Sequence, residues 1–369
     1  MPRRGRPGDV LDRRTLNRAL LQRQMLVRRS TIPVADALER LVGMQAQVPH
    51  APYVGLWTRL NGFVPGELAR LISERRAVRA SLMRTTIHLV TARDFLRVRP
   101  VFQPLLERRL YAGSPFGQRL EGMDIEELVS AGRALLEERP RTVAALGRLL
   151  GERWPDRDPT SLAYAIRHLV PLVQVPPRGI WGAKGEAAWT PVEAWLGRPL
   201  RSDPSPDGLI HRYLAAFGPA SVADIQAWSW LTRLREVVER VRPRLRTFRD
   251  EHDHELFDLA EAQLPDPDTP VPVRYLPEYD NALLSHADRS RIIATDDRDR
   301  VFTRGALLVD GFVRGAWKVK RERGAATLLV EPFASLPRGE RPGVTEEGVR
   351  LLDFVAADAG ARDVRLVAE

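Results

Sequence analysis

Short amphipathic helices followed by paired β-like runs constrain the fold of this chain more than any other feature of its sequence. Residues 15–29 and 32–47 have helical apolar spacing, and a third short helix is predicted after Pro52. Thr15 is a plausible N-cap for the first helix. Residues 78–90 then form two β-like runs. Three helices followed by a β-hairpin are typical of a winged helix-turn-helix.

The same pattern is predicted twice more further along the chain. The second copy has helices over 141–155 and 160–172, a strand over 173–177 and a glycine-rich turn within 178–192, and the third has helices over 218–231 and 232–245 and strands within 245–259. Repetition at this scale predicts tandem units rather than one unit attached to an unrelated domain.

The pattern changes after the proline-rich segment 262–281. Short strands with Gly or Asp turns are predicted over 291–302, 305–322 and 325–333, and a final helix starts at Thr345. We therefore predict a mainly helical α+β fold. Its parts are a disordered basic arm over 1–13, winged helix units over 14–120, 121–200 and 205–262, and a C-terminal β-rich α+β domain over 263–369.

Charge and residue usage narrow the function classes. The formal net charge of +9 and a pI near 10.4 favour a polyanionic partner. With no cysteine, disulfides, cysteine-type zinc sites and thiol catalysis are excluded. No apolar run approaches the roughly 18 residues that a membrane span needs. We therefore expect a cytoplasmic, nucleoid-associated protein with no membrane contact.

Two glutamines, Gln45 and Gln47, flank one alanine where the second helix-like stretch gives way to a proline-containing loop. One interpretation makes them amides that cap the end of the helix and satisfy loop carbonyls. The other gives them chemistry, because an amide can hold a water through both its oxygen and its NH₂ group. Neither amide can take a proton from that water at neutral pH.

Several blocks of the chain resemble, in order and spacing, the AlkZ/YcaQ family of bacterial winged-helix DNA glycosylases. These blocks include "LVGMQAQVPHAPYVGLWTRL", "LMRTTIHLVTARDF", "LPEYDNALLSHADRSRI" and "VDGFVRGAW", so the resemblance extends from about residue 14 to the end. It implies three tandem winged helices around a concave DNA channel. It also implies that the Gln-apolar-Gln motif, here Gln45 and Gln47, is catalytic.

The branch of the family that carries the Gln-apolar-Gln motif excises bulky N7-alkylguanines, including interstrand crosslinks made by natural-product alkylators. The resemblance therefore implies a monomeric, metal-independent enzyme without a cofactor, which acts on double-stranded DNA in repair or in self-resistance. An N7-alkylguanine already carries a positive charge, so a positioned water suffices to hydrolyse its glycosidic bond. The alternative is a non-enzymatic winged-helix DNA-binding protein or transcriptional regulator.

Lysine usage bears on the type of excision. A lyase that forms a Schiff base needs a lysine in its site. No lysine occurs before Lys184. We therefore predict monofunctional excision that leaves an abasic site.

Three residues near the glutamines are candidate DNA contacts. Alternation along the second β-like run places Thr86 and His88 on one face. The resemblance implies that this pair contacts DNA near the lesion, although a single histidine on a strand is more often structural. His50 either borders the pocket or caps a loop.

Two further segments carry candidate DNA contacts. Arg178, Trp181 and Lys184 lie on a glycine-rich turn, where basic and aromatic residues suit phosphate contact and groove insertion. In the alternative interpretation Trp181 covers the core of its own unit. Asp280 and Arg289 belong to a signature block of the family, and the resemblance implies that this block packs against the first unit and meets DNA.

Overall fold

The computed structural model describes residues 9–301 and 303–367. Its α-helices are α1 (Arg13–Arg23), α2 (Val34–Arg40), α3 (Ala51–Trp57), α4 (Pro65–Ser73), α5 (Ala92–Tyr111), α6 (Pro115–Gln118), α7 (Ile125–Glu138), α8 (Val143–Arg153), α9 (Pro159–Leu169), α10 (Val192–Leu196), α11 (Asp207–Phe217), α12 (Val222–Ser229), α13 (Leu234–Val241), α14 (Asn281–Leu284) and α15 (Arg341–Val355). Its strands are β1 (Val10–Leu11), β2 (Met44–Gln45), β3 (Ala77–Ser81), β4 (Ile87–Thr91), β5 (Arg141–Thr142), β6 (Leu172–Gln174), β7 (Ala188–Pro191), β8 (Leu245–Asp250), β9 (Glu255–Leu259), β10 (Arg274–Leu276), β11 (Gly305–Val309), β12 (Phe312–Glu322), β13 (Ala325–Pro332) and β14 (Ala361–Leu366).

Regular secondary structure begins closer to the N-terminus than predicted. A disordered arm was expected over residues 1–13. Residues 1–8 lie outside the described residues, and for most of residues 9–13 the expectation is wrong. Val10 and Leu11 form β1, which pairs in parallel with β8. Helix α1 follows at once, and its N-cap is Asp12 rather than Thr15, because the Asp12 carboxylate accepts from the backbone N–H of Thr15.

One six-stranded sheet joins the first two predicted units, in the order β2-β4-β3-β6-β7-β5. The junction between the units is a single residue pair, Arg79 on β3 opposite Gln174 on β6. Strand β2 lies at the edge of this sheet. The edge strand carries Gln45, so the sheet fixes the position of the candidate motif.

The third predicted unit has helices α11 to α13 and a three-stranded sheet in the order β1-β8-β9. Its strands pack on a core that includes Phe217, Trp228 and Phe257. A capping box at Ser221 and Asp224 fixes the start of α12. Helix–helix–hairpin order is therefore present here, whereas the tandem winged-helix arrangement as a whole remains a prediction.

The C-terminal part is a five-stranded sheet in the order β10-β11-β12-β13-β14 with α15 packed against it. A strand was expected over 291–302, and this is wrong: short 3-10 helices occupy Thr295–Asp297 and Asp299–Val301, and residue 302 lies outside the described residues. The final helix begins at Arg341, one turn before the predicted Thr345.

The predicted α+β class is confirmed, and the C-terminal sheet matches the expected β-rich part. Among the described helices, none is both long and apolar enough to cross a membrane. Two large apolar cores bury residues from elements far apart in sequence. The proposed domain boundaries therefore mark changes in the sequence pattern. The parts on either side of these boundaries contribute to the same apolar cores.

Candidate active site

Gln45 lies on a strand and not at the end of a helix. Helix α2 ends at Arg40, and Gly43 then turns the chain with a φ of +83°, a conformation that suits glycine. A side chain at this position would collide with Val90. The chain next enters β2, where Gln45 pairs with His88 of β4. The helix-capping interpretation of Gln45 is therefore wrong.

The two glutamines differ in exposure. Gln45 is only 7% exposed, whereas Gln47 is exposed. Ala46 between them is fixed by two bonds, because its N–H donates to the carbonyl of Ile87 at 2.7 Å and its carbonyl accepts from Nη2 of Arg79 at 2.9 Å. Oε1 of Gln47 accepts from the N–H of Ile87 at the long distance of 3.4 Å. Hydrogen bonds on both sides anchor the loop backbone at Ala46, whereas the exposed Gln47 amide has only this one long bond.

Arg84, which the sequence analysis did not identify as a candidate, orients Gln45. Its Nη2 donates to Oε1 of Gln45 at 2.8 Å, and its Nη1 donates to the carbonyl of Trp228 at 2.5 Å. Burial, together with the nearby charge of Arg289, lowers the pKa of Arg84 to about 10. The guanidinium is therefore a charged donor at neutral pH, and it identifies which end of the Gln45 amide is the oxygen.

The backbone that presents Arg84 is strained. Arg84 and Thr85 have φ values of +53° and +56°, in the left-handed region that non-glycine residues rarely adopt. Both lie in the turn between β3 and β4, within the short 3-10 helix Met83–Thr85. Strain of this kind concentrates at functional sites, where the surrounding structure holds it.

His88 is buried beside this arginine and does not face DNA. It is 1% exposed, and its Nδ1 lies 3.0 Å from the Thr86 carbonyl, so Nδ1 donates and Nε2 accepts from Arg84 Nη2 at 3.4 Å. Burial, together with the Arg84 charge, lowers the pKa of His88 to about 3. The expectation that His88 contacts DNA is wrong, because this neutral ring is buried and accepts a hydrogen bond from Arg84. Thr86 is half-buried, and its hydroxyl donates to the Met83 carbonyl.

The glycine-rich turn of the second unit packs beside the glutamine loop. Trp181 is half-buried against Tyr53 at 5.0 Å and His50 at 5.4 Å between ring centroids. The Tyr53 hydroxyl donates to the Gly179 carbonyl at 2.8 Å and accepts from the Trp181 N–H at 3.1 Å. These contacts favour the packing interpretation of Trp181 over groove insertion.

The polar residues of this turn and His50 remain accessible. His50 and Lys184 are exposed, and Arg178 is half-buried with its Nη1 donating to the Gly185 carbonyl at 3.2 Å. Although His50 is exposed as a residue, the partial burial of its ring beside Trp181, with the charges of Arg79 and Arg178, lowers its pKa. The structure therefore brings His50 and the 178–184 turn to the same site as the glutamines.

Asp280 and Arg289 are placed very differently. Both carboxylate oxygens of Asp280 accept from Arg59, at 2.7 and 2.8 Å, and both side chains are fully buried. The expectation that Asp280 contacts DNA is wrong, since this ion pair holds α14 against the first unit. Arg289 is half-buried and close enough to Arg84 for its charge to lower the pKa of Arg84.

Positive charge accumulates around the motif. Arg79, Arg84, Arg178 and Arg289 contribute to the site, and none takes part in an ion pair among residues 9–301 and 303–367. Burial, with the charge of Arg178, lowers the pKa of Arg79 to about 10. These cations remain charged at neutral pH and attract phosphates. Within the described part of the chain, no group of three or more His, Asp or Glu side chains is arranged to hold a metal ion.

Comparisons with known proteins identify the family of the chain. The family model described as DNA glycosylase AlkZ-like matches residues 38–354. A solved structure of the Streptomyces sahachiroi DNA glycosylase AlkZ is similar with a TM-score of 0.77 and 21% identity, covering 97% of this chain and 100% of that chain. No curated protein sequence matches the chain. The expected DNA glycosylase activity on DNA is confirmed, and the alternative of a non-enzymatic regulator is set aside: the chain belongs to the AlkZ-like family of DNA glycosylases.

Proposed function

We propose that this glycosylase hydrolyses the glycosidic bond of N7-alkylguanines and unhooks interstrand crosslinks, leaving abasic sites, from the loop that carries Gln45 and Gln47. The observation that most directly supports this proposal is the hydrogen bond from Arg84 to Oε1 of Gln45. It occupies the acceptor end of one amide and leaves the donor end, Nε2, to face substrate or water.

The two amides then have different roles. Nε2 of Gln45 has no acceptor among the described residues, so it can hold an oxygen of the water or of the deoxyribose. Oε1 of Gln47 exchanges its long bond from Ile87 for a hydrogen of the attacking water. Together the amides orient the nucleophile, which is a proximity effect and not proton abstraction, and the proton that the water loses on adding to the sugar passes to solvent.

This chemistry suits a leaving group that needs no protonation. Alkylation at N7 makes the guanine cationic, so breaking the bond transfers the positive charge to the sugar and releases a neutral base. The transition state resembles an oxocarbenium ion, as in other glycoside hydrolyses. His88 is too acidic when protonated, with its pKa near 3, to serve as a general base of useful strength at neutral pH. Unmodified purines should therefore be poor substrates.

The exposure of Gln47 supports action on crosslinks. A crosslinked guanine is tethered to the opposite strand and cannot flip fully into an enclosed pocket. A loop at the surface can reach such a base without complete extrusion. Gln47 and His50 are both exposed on this loop.

The experiment is an excision assay on duplexes that contain one N7-methylguanine, one bulky N7 adduct or one N7 crosslink, followed by alkaline cleavage. We expect strand breaks with wild type and a fall of about 100-fold or more in Gln45→Ala and Gln47→Ala, with DNA binding retained. Gln263→Ala, at an exposed glutamine far along the chain, is the matched control. Activity on undamaged purines equal to that on the adducts would refute the proposal.

A second measurement tests monofunctional action, because Lys184 lies on the glycine-rich turn whose Trp181 packs against His50 and Tyr53. Borohydride reduces a Schiff base to a stable enzyme–DNA adduct. We expect no trapped adduct with wild type. A trapped adduct that disappears in Lys184→Gln would show that the enzyme is a lyase.

A further inference from the structure

We propose that Trp230 stacks on a DNA base next to the lesion, with Arg108 holding the neighbouring phosphate. Trp230 and Tyr111 are the two exposed aromatic side chains in the described part of the chain, at 46% and 49% exposure. Tryptophan is largely buried on average in folded proteins, so this half-exposed indole is a candidate contact residue, and the residues around it decide what it binds.

The backbone of Trp230 is held by hydrogen bonds, and the residue is 46% exposed. Trp230 caps α12 in a left-handed conformation with a φ of +62°. Its N–H donates to the Gln226 carbonyl at 2.7 Å, and its carbonyl accepts from Nη2 of Arg108 at 3.1 Å. A rigid backbone with a solvent-facing ring is what a stacking platform requires, since little freedom is lost when a base docks.

This ring is linked directly to the active site. Arg84 donates one nitrogen to Gln45 and the other to the carbonyl of Trp228, two residues before Trp230. The turn that carries Arg84 also packs against α12. DNA that reaches Gln45 therefore passes close to the end of α12.

The charge around Trp230 fits a nucleic acid. Arg108, Arg109 and Arg233 are exposed, and they form no ion pair with any carboxylate of the described residues. Nη1 of Arg108 also donates to the Thr232 hydroxyl at 3.2 Å, which fixes its guanidinium beside the backbone of residues 230–232. Tyr111 lies three residues beyond Arg108 on the same helix, so the two exposed aromatics flank one arginine. Aromatic rings interleaved with unpaired arginines bind bases by stacking and phosphates by charge.

The test measures binding of the full chain to a duplex that contains a tetrahydrofuran abasic-site analogue with 2-aminopurine as the base next to it. Stacking on a base is worth about 1–3 kcal/mol, so Trp230→Ala should weaken Kd by roughly 5- to 150-fold. Trp230→Phe should restore most of the affinity because it keeps an aromatic face. Val349→Ala, an exposed apolar residue on α15, is the control and should bind as wild type.

Fluorescence and salt dependence separate stacking from other effects. Wild type should quench 2-aminopurine on binding, and Trp230→Ala should not. Arg108→Gln should reduce the slope of log K against log salt by about 1. Equal Kd and quenching in wild type and Trp230→Ala would overturn the proposal, as would a Phe variant as weak as the Ala variant. Excision of N7 adducts is measured separately, so a different preferred lesion would leave this binding test intact.

Discussion

Replacing Arg84 with glycine separates the chemistry of its guanidinium from the strain of its backbone. The side chain makes one charge-assisted hydrogen bond to Gln45 at 2.8 Å and another to the Trp228 carbonyl. A hydrogen bond to a charged group contributes about 1.5–3 kcal/mol. If that energy holds the Gln45 amide in its reactive orientation, its loss should lower kcat by about 10- to 150-fold.

The backbone effect has the opposite sign. At a φ of +53° an arginine is strained, whereas glycine is not. Relief of about 1 kcal/mol should offset part of the lost hydrogen bonding, so Arg84→Gly should remain folded with a Tm near that of wild type. Arg84→Ala keeps the strain and should be the less stable of the two variants.

The assay is single-turnover excision of an N7-methylguanine duplex, with Kd measured in parallel. Thr85→Gly is the matched control, because Thr85 shares the left-handed backbone, whereas the hydrogen bond to Oε1 of Gln45 comes from Arg84. It should gain stability and keep full activity. If Arg84→Gly turned over at the wild-type rate, Arg84 would have no positioning role. If Thr85→Gly lost as much activity as Arg84→Gly, the turn and not the guanidinium would control the rate.

Three further predictions follow from buried or clustered charge. Asp280→Asn should lower the free energy of unfolding by about 3–5 kcal/mol in urea titrations, because it leaves Arg59 buried without its counter-charge; a variant as stable as wild type would contradict this. Arg178→Gln should weaken DNA binding similarly for all duplex sequences. In titrations at several ionic strengths it should reduce the slope of log K against log salt by about 1. A change in sequence preference would contradict a phosphate contact. The folded-state pKa of His88, about 3, lies below its ordinary value of 6.5, so its contribution to stability is complete above pH 6.5 and is lost as the pH falls toward 3. Tm should therefore decline through this range, and excision rates above it should show no titration of His88.

Local patterns predicted many elements and failed at two kinds of place. Helix α5 runs from Ala92 to Tyr111 through Pro100 and Pro104, residues that normally interrupt a helix. Pro100 cannot donate to the Leu96 carbonyl, and the backbone N–H of Arg201 donates to it instead at 3.0 Å. A partner so distant in sequence gives no local signal, so periodicity alone could not predict this helix.

The active site shows the same limit. Resemblance to a family drew attention to Gln45 and Gln47, yet no spacing rule pairs Gln45 with Arg84, which lies 39 residues away. The carbonyl that anchors the other side of Arg84 is 144 residues away. Nor could sequence show that His88 is buried, since alternation along a strand assigns a face without saying what covers it.

The ties between the first unit and α14 bear on when this enzyme becomes competent during its synthesis. Asn281 donates to the carbonyls of Leu41 and Gly43, and Asp280 neutralises Arg59, across separations of more than 220 residues. Until the ribosome has released Asn281, the turn before Gln45 lacks its support and Arg59 carries an unmatched charge in a forming interior. Contacts this distant are formed late, after their loop-closure cost has been met. We therefore expect the nascent N-terminal half to bind DNA poorly and to excise nothing, so that base excision begins only after Asp280 and Asn281 have left the ribosome.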